Sequence, residues 1–278
     1  MSGTGFWLLA MKMAIAAAIV VTVSIIAEKS KPFIAAMVAT LPVSAGPALV
    51  FLAMGHDDAF MGAALGGSLV TNLALAFYIG GYGWLAARFS VVPALGGAFV
   101  LWLMAGYLLK LVPWTLLSAL LANIVLYLAM IPLTKAFLIA KAGLVPPRPW
   151  FALPLRALAV ASLVAALTTL SDALGPYGSG WLAVFPVVLS SLIAILHPRI
   201  GGPATATMIV SGLPGMIGFA IALAVAASLA EPLGRYAALG IGLLITLIWN
   251  GGLVLLKSRR SSARSEEHTS ELQSPCNL

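Results

Sequence analysis

Residues 28–47 read EKSKPFIAAMVATLPVSAGP, and residues 172–191 read DALGPYGSGWLAVFPVVLSS. Laid one over the other without gaps, they place Glu28 on Asp172, Pro32 on Pro176, Ala39 on Ala183 and Pro42 on Pro186. Further out, the same register pairs Lys12 with Arg156. Past a three-residue insertion it pairs Arg88 with Arg235, Trp102 with Trp249, and Leu108-Leu109-Lys110 with Leu255-Leu256-Lys257. Only 8% of the residues are charged, so charges and prolines that coincide in one register mark an internal repeat.

The setting of that repeat is a membrane. Of 278 residues 62% are hydrophobic, whereas a soluble domain carries about a quarter charged residues. A span needs roughly 20 apolar residues, and nine such stretches are present: 6–27, 32–54, 59–86, 90–109, 113–134, 151–173, 179–197, 202–230 and 236–257. Little chain is left over, which excludes a soluble enzyme or a nucleic-acid-binding domain. The formal charge of +7 reads as topology, because basic residues collect in cytoplasmic loops.

With nine spans, Lys29, Lys31, Arg88, Lys135, Lys141, Arg148, Arg199, Lys257, Arg259 and Arg260 fall on one side and only Lys110 and Arg235 on the other. If the fifth span did not cross, the bias would be far weaker. The positive-inside rule thus favours nine spans, with the N-terminus outside and the C-terminus cytoplasmic. The expected fold is an all-α integral membrane protein: a first four-span unit in 1–110, a connector helix and loop in 111–149, and a second four-span unit in 150–260. One connecting span makes the second unit enter from the opposite face, which is an inverted-topology repeat.

The ends need separate treatment. RSEEHTSELQS at 264–274 reads as a sequencing adapter translated in frame, so 261–278 is expected to be a non-native polar tail. It carries the single cysteine, Cys276, and without it disulfides and thiolate chemistry drop out. The opening MSGTG has no positive charge and its apolar run is long, so the first span is expected to be retained rather than cleaved as a signal.

Inverted repeats are a construction of secondary transporters, in which two oppositely oriented units open a central site to either side in turn. Sites in such folds lie where helices are interrupted near the midplane. Span two carries Pro42, Ser44, Gly46 and Pro47, and span seven carries Pro186, Ser190 and Ser191. A proline frees the carbonyl four residues before it, so these carbonyls and hydroxyls are the candidate solute ligands. The alternative at each proline is an ordinary kink re-satisfied by its neighbours. SGLPG at 211–215 marks a further break. Asn72, Asn123 and Asn250 lie in spans, where an amide ties helices together; Asn72 is also carried as a solute-binding candidate.

Lys12 and Arg156 lie one or two turns inside the first span of each unit, where snorkelling to the headgroups is one outcome. Glu28 and Asp172 close those spans, too far along to reach their own unit's cation. Inversion brings Lys12 towards Asp172 at the outer face and Arg156 towards Glu28 at the inner face, a pair of candidate gates, against the simpler local pairing of Glu28 with Lys29 or Lys31. His197 is a candidate proton-coupling residue, although its place at a span end suits a solvated cap. His56, Asp57 and Asp58 give too few fixed ligands for a metal. Gly62, Gly66 and Gly67 form a small-residue packing face, and Trp7, Trp84, Trp114, Trp150 and Trp181 fall near span ends, as an interfacial belt does. There is no GxSxG, HExxH or Walker A motif, so no enzyme and no cofactor are expected.

The basic first span MKMAIAAAIVV, the charged turn AEKSK, the span FIAAMVATLPVSAGPALVFLA and the glycine-rich third span together resemble the GlpM-like family of small bacterial inner-membrane proteins. LRALAVASL to PVVLSSLIAILHPR looks like a diverged second copy. The resemblance implies a helical fold in a bacterial inner membrane, supplies no activity or site residue, and departs from the family in fusing two units through an extra span. The expectation is a secondary transporter or permease whose partners are the lipid bilayer and a small solute. The alternative is a non-transporting membrane subunit that stabilises or regulates a partner complex.

Overall fold

The computed structural model describes residues 3–29, 45–139 and 149–273. Helix α1 is Gly3–Lys29, α2 Ala45–Ala53, α3 Asp58–Ala86, α4 Val91–Lys110 and α5 Leu116–Leu133; a 3-10 turn at Lys135–Ile139 follows. Then come α6 at Ala152–Ala183, α7 at Val187–Ile200, α8 at Gly202–Val210, α9 at Leu213–Leu233 and α10 at Arg235–Gln273. Seven stretches are long and apolar enough to cross a membrane: Trp7–Ile26, Asp58–Ala86, Val91–Lys110, Leu116–Leu133, Ala152–Ala183, Gly202–Leu233 and Arg235–Leu256. The chain is thus a polytopic, all-helical membrane protein among its described residues.

Local chemistry sets the helix ends. Asp57 caps α3 by accepting the Phe60 N–H at 2.8 Å, and Thr115 with Ser118 forms a reciprocal capping box on α5. Gly175 (φ 67°, ψ −178°) bends α6, a conformation that glycine adopts without strain, and Pro176 then starts the last turns of the helix. Gly201 (φ 84°) and Gly234 (φ 83°) turn the chain between α7 and α8 and between α9 and α10.

The sixth span, expected to end at 173, is broken two residues later at Gly175, whose φ and ψ are not helical, and a short second piece runs from Pro176 to Ala183. Three other expected boundaries move. The seventh, expected as one helix over 179–197, is two pieces separated at Val184–Pro186. The eighth splits into α8 and α9 at Ser211 and Gly212. The last helix runs past 257 to Gln273, through the polar segment expected to be a separate tail. Of the second span, only residues 45–54 lie within the described residues, and Ala45–Ala53 of them are helical.

Two stretches form the centre. Within their apolar windows α3 is 72% buried and the α8–α9 stretch 50%, against 22% for α4 and 22% for α10. These two stretches are therefore innermost, and α4 and α10 are peripheral. Glycine lets the centre close: a Cβ on Gly67 would come to 2.9 Å from the Tyr177 carbonyl oxygen, and one on Gly180 would overlap the Ala64 carbonyl oxygen. Helices in lipid associate through such small-residue contacts, since lipid tails are as apolar as leucine. Of the packing face expected at Gly62, Gly66 and Gly67, Gly67 lies in this seam and Gly62 packs against Ala227 and Ala230, whereas a Cβ on Gly66 meets nothing within 4 Å.

Candidate functional site

The interruption at Val184–Pro186 lies beside α3 and α4. Its free backbone groups are taken up locally: Phe185 N–H donates to the Leu182 carbonyl at 3.0 Å, and Val187 N–H to the Phe185 carbonyl at 2.7 Å. The Pro186 carbonyl accepts both the Ser190 N–H at 2.9 Å and the Ser190 hydroxyl at 2.5 Å. Ser190 also meets the Tyr78 hydroxyl at 2.8 Å, and Ser191 donates to the Val188 carbonyl at 2.9 Å. Around the break stand aromatic rings: Phe185 stacks on Phe99 with centroids 5.5 Å apart, Trp102 meets Phe185 edge-on at 5.2 Å, and Trp102 stacks on Trp181 at 4.5 Å. Pro186 itself is buried.

A polar ladder continues from it along α3. The Ser68 hydroxyl donates to the Gly180 carbonyl at 2.9 Å, Tyr78 meets Ser190, and the Tyr82 hydroxyl meets His197 Nδ1 at 2.9 Å. His197 is 8% exposed, so it is a buried partner of Tyr82, not the solvated cap that its position suggested. Tyr78 and Tyr82 went unremarked in the sequence. Their signal was there, two hydroxyls at i and i+4 in an apolar helix, each of which needs a partner out of water. Tyr78→Phe and Ser190→Ala should be non-additive in a double-mutant cycle of unfolding in detergent, with a coupling of about 0.6 kcal/mol and at most about 2 kcal/mol, the range of interhelical hydrogen bonds in membranes.

Asn72 sits at the middle of α3, fully buried. Its Nδ2 donates to Asn123 Oδ1 at 2.9 Å and towards the Met216 carbonyl at 3.4 Å. Asn123 Nδ2 donates to the Leu69 and Ala119 carbonyls, and the Tyr127 hydroxyl to the Asn72 carbonyl at 2.6 Å. The cluster ties α3, α5 and α9 together, the role that amides in spans were expected to have, while Asn72 Oδ1 has no hydrogen-bond partner among the described residues.

The other expected site residues scatter. Pro42 and Ser44 lie outside the described residues, as does the side chain of Glu28. Pro47 is buried in the first turn of α2, and Gly46 beside it is half-buried. Lys12 is half-buried one turn before Ala16 and Val20, the buried residues of α1, which packs against α6. Arg156 is half-buried in α6. The Asp172 side chain is 96% exposed and faces His56 Nδ1 at 3.9 Å.

The HDD cluster disperses to three partners. His56 Nε2 meets the Ser171 hydroxyl at 2.9 Å, Asp57 caps α3, and Asp58 accepts from the Arg235 guanidinium at 2.8 Å and from the Arg235 backbone N–H at 3.0 Å. Arg235 Nε donates to the Ala53 carbonyl at 2.7 Å. One guanidinium thereby clamps the end of α2, the start of α3 and the α9–α10 turn. In comparisons with protein families, curated proteins and solved structures, nothing matches the chain.

Proposed function

We propose that the chain is a secondary transporter or permease for a small solute, with nine crossings in a bacterial inner membrane and two four-span units in opposite orientations. The observation that carries this reading is the register of α3 on α8–α9. Gly62 lies against Ala227 and Ala230, Asn72 against Met216, and Gly202 against Ala86. As α3 advances, its partner recedes, so repeat-equivalent helices pack antiparallel along their whole length. Equivalent helices that cross in opposite senses are the signature of inversion about an axis in the membrane plane; a tandem parallel repeat would lay them side by side.

The path of residues 177–202 supports an extra crossing beyond the seven long helices. Tyr177 meets Gly67, Gly180 meets Ala64 and Ser68, Ser190 meets Tyr78, His197 meets Tyr82, and Gly202 meets Ala86. This broken segment runs parallel to α3 from Gly67 to Ala86, roughly 29 Å at 1.5 Å per residue, close to the hydrocarbon thickness of about 30 Å. The end contacts also respect the charge-based sides. His56 with Ser171 and Asp58 with Arg235 join segments assigned outside, whereas Thr207 with the Phe137 carbonyl joins segments assigned inside.

Single cysteines at Ser30 and Leu174, in a Cys276→Ser background, test the inversion. A membrane-impermeant thiol reagent applied to intact cells should label position 174 and spare position 30, and equal behaviour at the two sites refutes opposite orientation. The buried, ring-lined Pro186 break favours the second reading, a non-transporting membrane subunit. A cysteine at Ser190 separates the two: a transporter that opens the break makes it reactive towards a small hydrophilic thiol reagent, and a subunit that keeps it dry leaves it inert.

A further inference from the structure

A cavity of about 460 Å³ opens beside α3, at the end of the molecule that carries Lys110, and is separate from the Pro186 break. It is walled by Gly66 and Gly67 of α3, by Lys110, Trp114 and Thr115 of the α4–α5 connection, and by Tyr177 beyond the α6 bend. We propose that this cavity binds a small organic anion, a carboxylate or phosphate ester with a short apolar part. This assignment stands whether or not the protein transports.

The lining carries one full charge, and that charge is positive. Lys110 makes no ion pair or hydrogen bond with another described residue, whereas Arg235, the other cation assigned to this side, is committed to Asp58 and Ala53. Tyr177 lines the cavity, and its buried hydroxyl has no hydrogen-bond partner among the described residues, a state that costs free energy until an acceptor arrives. Helix α5 starts at the cavity wall. Thr115 caps only the Ser118 N–H, so the first N–H groups and the positive end of an 18-residue helix are presented there. Cation and helix start both favour negative charge, and no carboxylate among the described residues lines the space.

Size and shape narrow the class. The volume falls within the roughly 300–1,000 Å³ of ligand pockets and exceeds what a bare inorganic anion fills. The remaining walls, among them Val70 and Leu116, are apolar. Gly66 makes the room: a Cβ built there meets nothing within 4 Å, although its neighbour Gly67 is pressed against Tyr177. The anion comes either from the aqueous phase or from a phospholipid headgroup, and the chemistry of recognition is the same.

The test uses the full chain purified in an uncharged detergent, with apparent Tm as the readout. Phenyl phosphate is the soluble probe, benzyl alcohol its uncharged control, and phosphatidylglycerol against phosphatidylcholine the lipid pair. Phenyl phosphate should raise Tm where benzyl alcohol does not. Lys110→Gln and Gly66→Leu should abolish the rise, and Tyr177→Phe should weaken it several-fold in midpoint concentration. Lys110 is exposed and Gly66 has open space, so both variants keep the fold, and unliganded Tm values that match the parent confirm it. A rise with phosphatidylglycerol alone, lost in the same variants, assigns the site to a headgroup. The proposal is overturned if neither anion shifts Tm, or if the shift survives both Lys110→Gln and Gly66→Leu.

Discussion

Gly180→Val should leave no monodisperse protein in detergent, and Gly180→Ala should already lower the apparent Tm steeply. The reason is geometric. A Cβ at Gly180 falls on the Ala64 carbonyl oxygen and lies 2.8 Å from the Ser68 nitrogen, and both are backbone atoms of the central helix. A clash with a flexible side chain is relieved by a rotamer change, but α3 is held by α4, α5, α6 and α9 at once and cannot bend away. Overpacking costs about 1–3 kcal/mol where neighbours can adjust, so about 3 kcal/mol is the lower bound for a site where they cannot. Seating is lost with it: the Ser68 hydrogen bond to the Gly180 carbonyl breaks, and the broken segment that carries Pro186 loses its place on α3. The control is the same substitution at Gly96 or Gly240, where a Cβ meets nothing within 4 Å and alanine should raise helix stability by up to about 1 kcal/mol. Size-exclusion profiles and Tm values of the variants decide it. If Gly180→Ala is no worse than Gly96→Ala, the backbone seam is not what holds α6 on α3.

What the sequence revealed and concealed follows from the solvent. Apolar length found the seven long membrane-crossing stretches among the described residues, and prolines with glycines found the break at Pro186 and the one at 211–215, because both signals are local. Which helices lie at the centre was not legible from hydrophobicity. A lipid-facing leucine such as Leu117 and a buried one such as Leu69 satisfy their surroundings equally well, so an apolar helix carries no inward stripe. The legible clue was residue size: Gly62 and Gly67 on α3 marked close packing, whereas Gly66 between them faces open space. The role of His197 was hidden because its partner, Tyr82, is remote in sequence. The same holds for Asp58 and Arg235, which are 177 residues apart, and the internal alignment set Arg235 opposite Arg88, away from the ion pair.

That asymmetry between the two arginines carries the second large effect. Arg235→Gln should lower the apparent Tm by many degrees, Asp58→Asn by fewer, and Arg88→Gln should leave it unchanged. Arg235 holds three helix ends through the Ala53 carbonyl and Asp58, whereas Arg88 is exposed, donates only to the Trp84 carbonyl of its own helix at 3.1 Å and lies over the Trp84 ring at 4.5 Å. Asparagine at 58 keeps an oxygen for the Arg235 backbone N–H and loses only the charge, so high salt, which screens exposed pairs, should narrow the gap between Asp58→Asn and the parent. The bond from Nε to the neutral Ala53 carbonyl is far less sensitive to salt, and the Arg235→Gln deficit should therefore persist. Equal damage from Arg88→Gln and Arg235→Gln would remove the distinction. On the two-unit reading the clamp closes one mouth of the molecule and its counterpart at the other mouth lacks the carboxylate, so Asp58→Asn should also raise the reactivity of a cysteine at Ser190 towards a reagent applied from outside. A clamp that serves folding alone would lower Tm and leave that reactivity where it was.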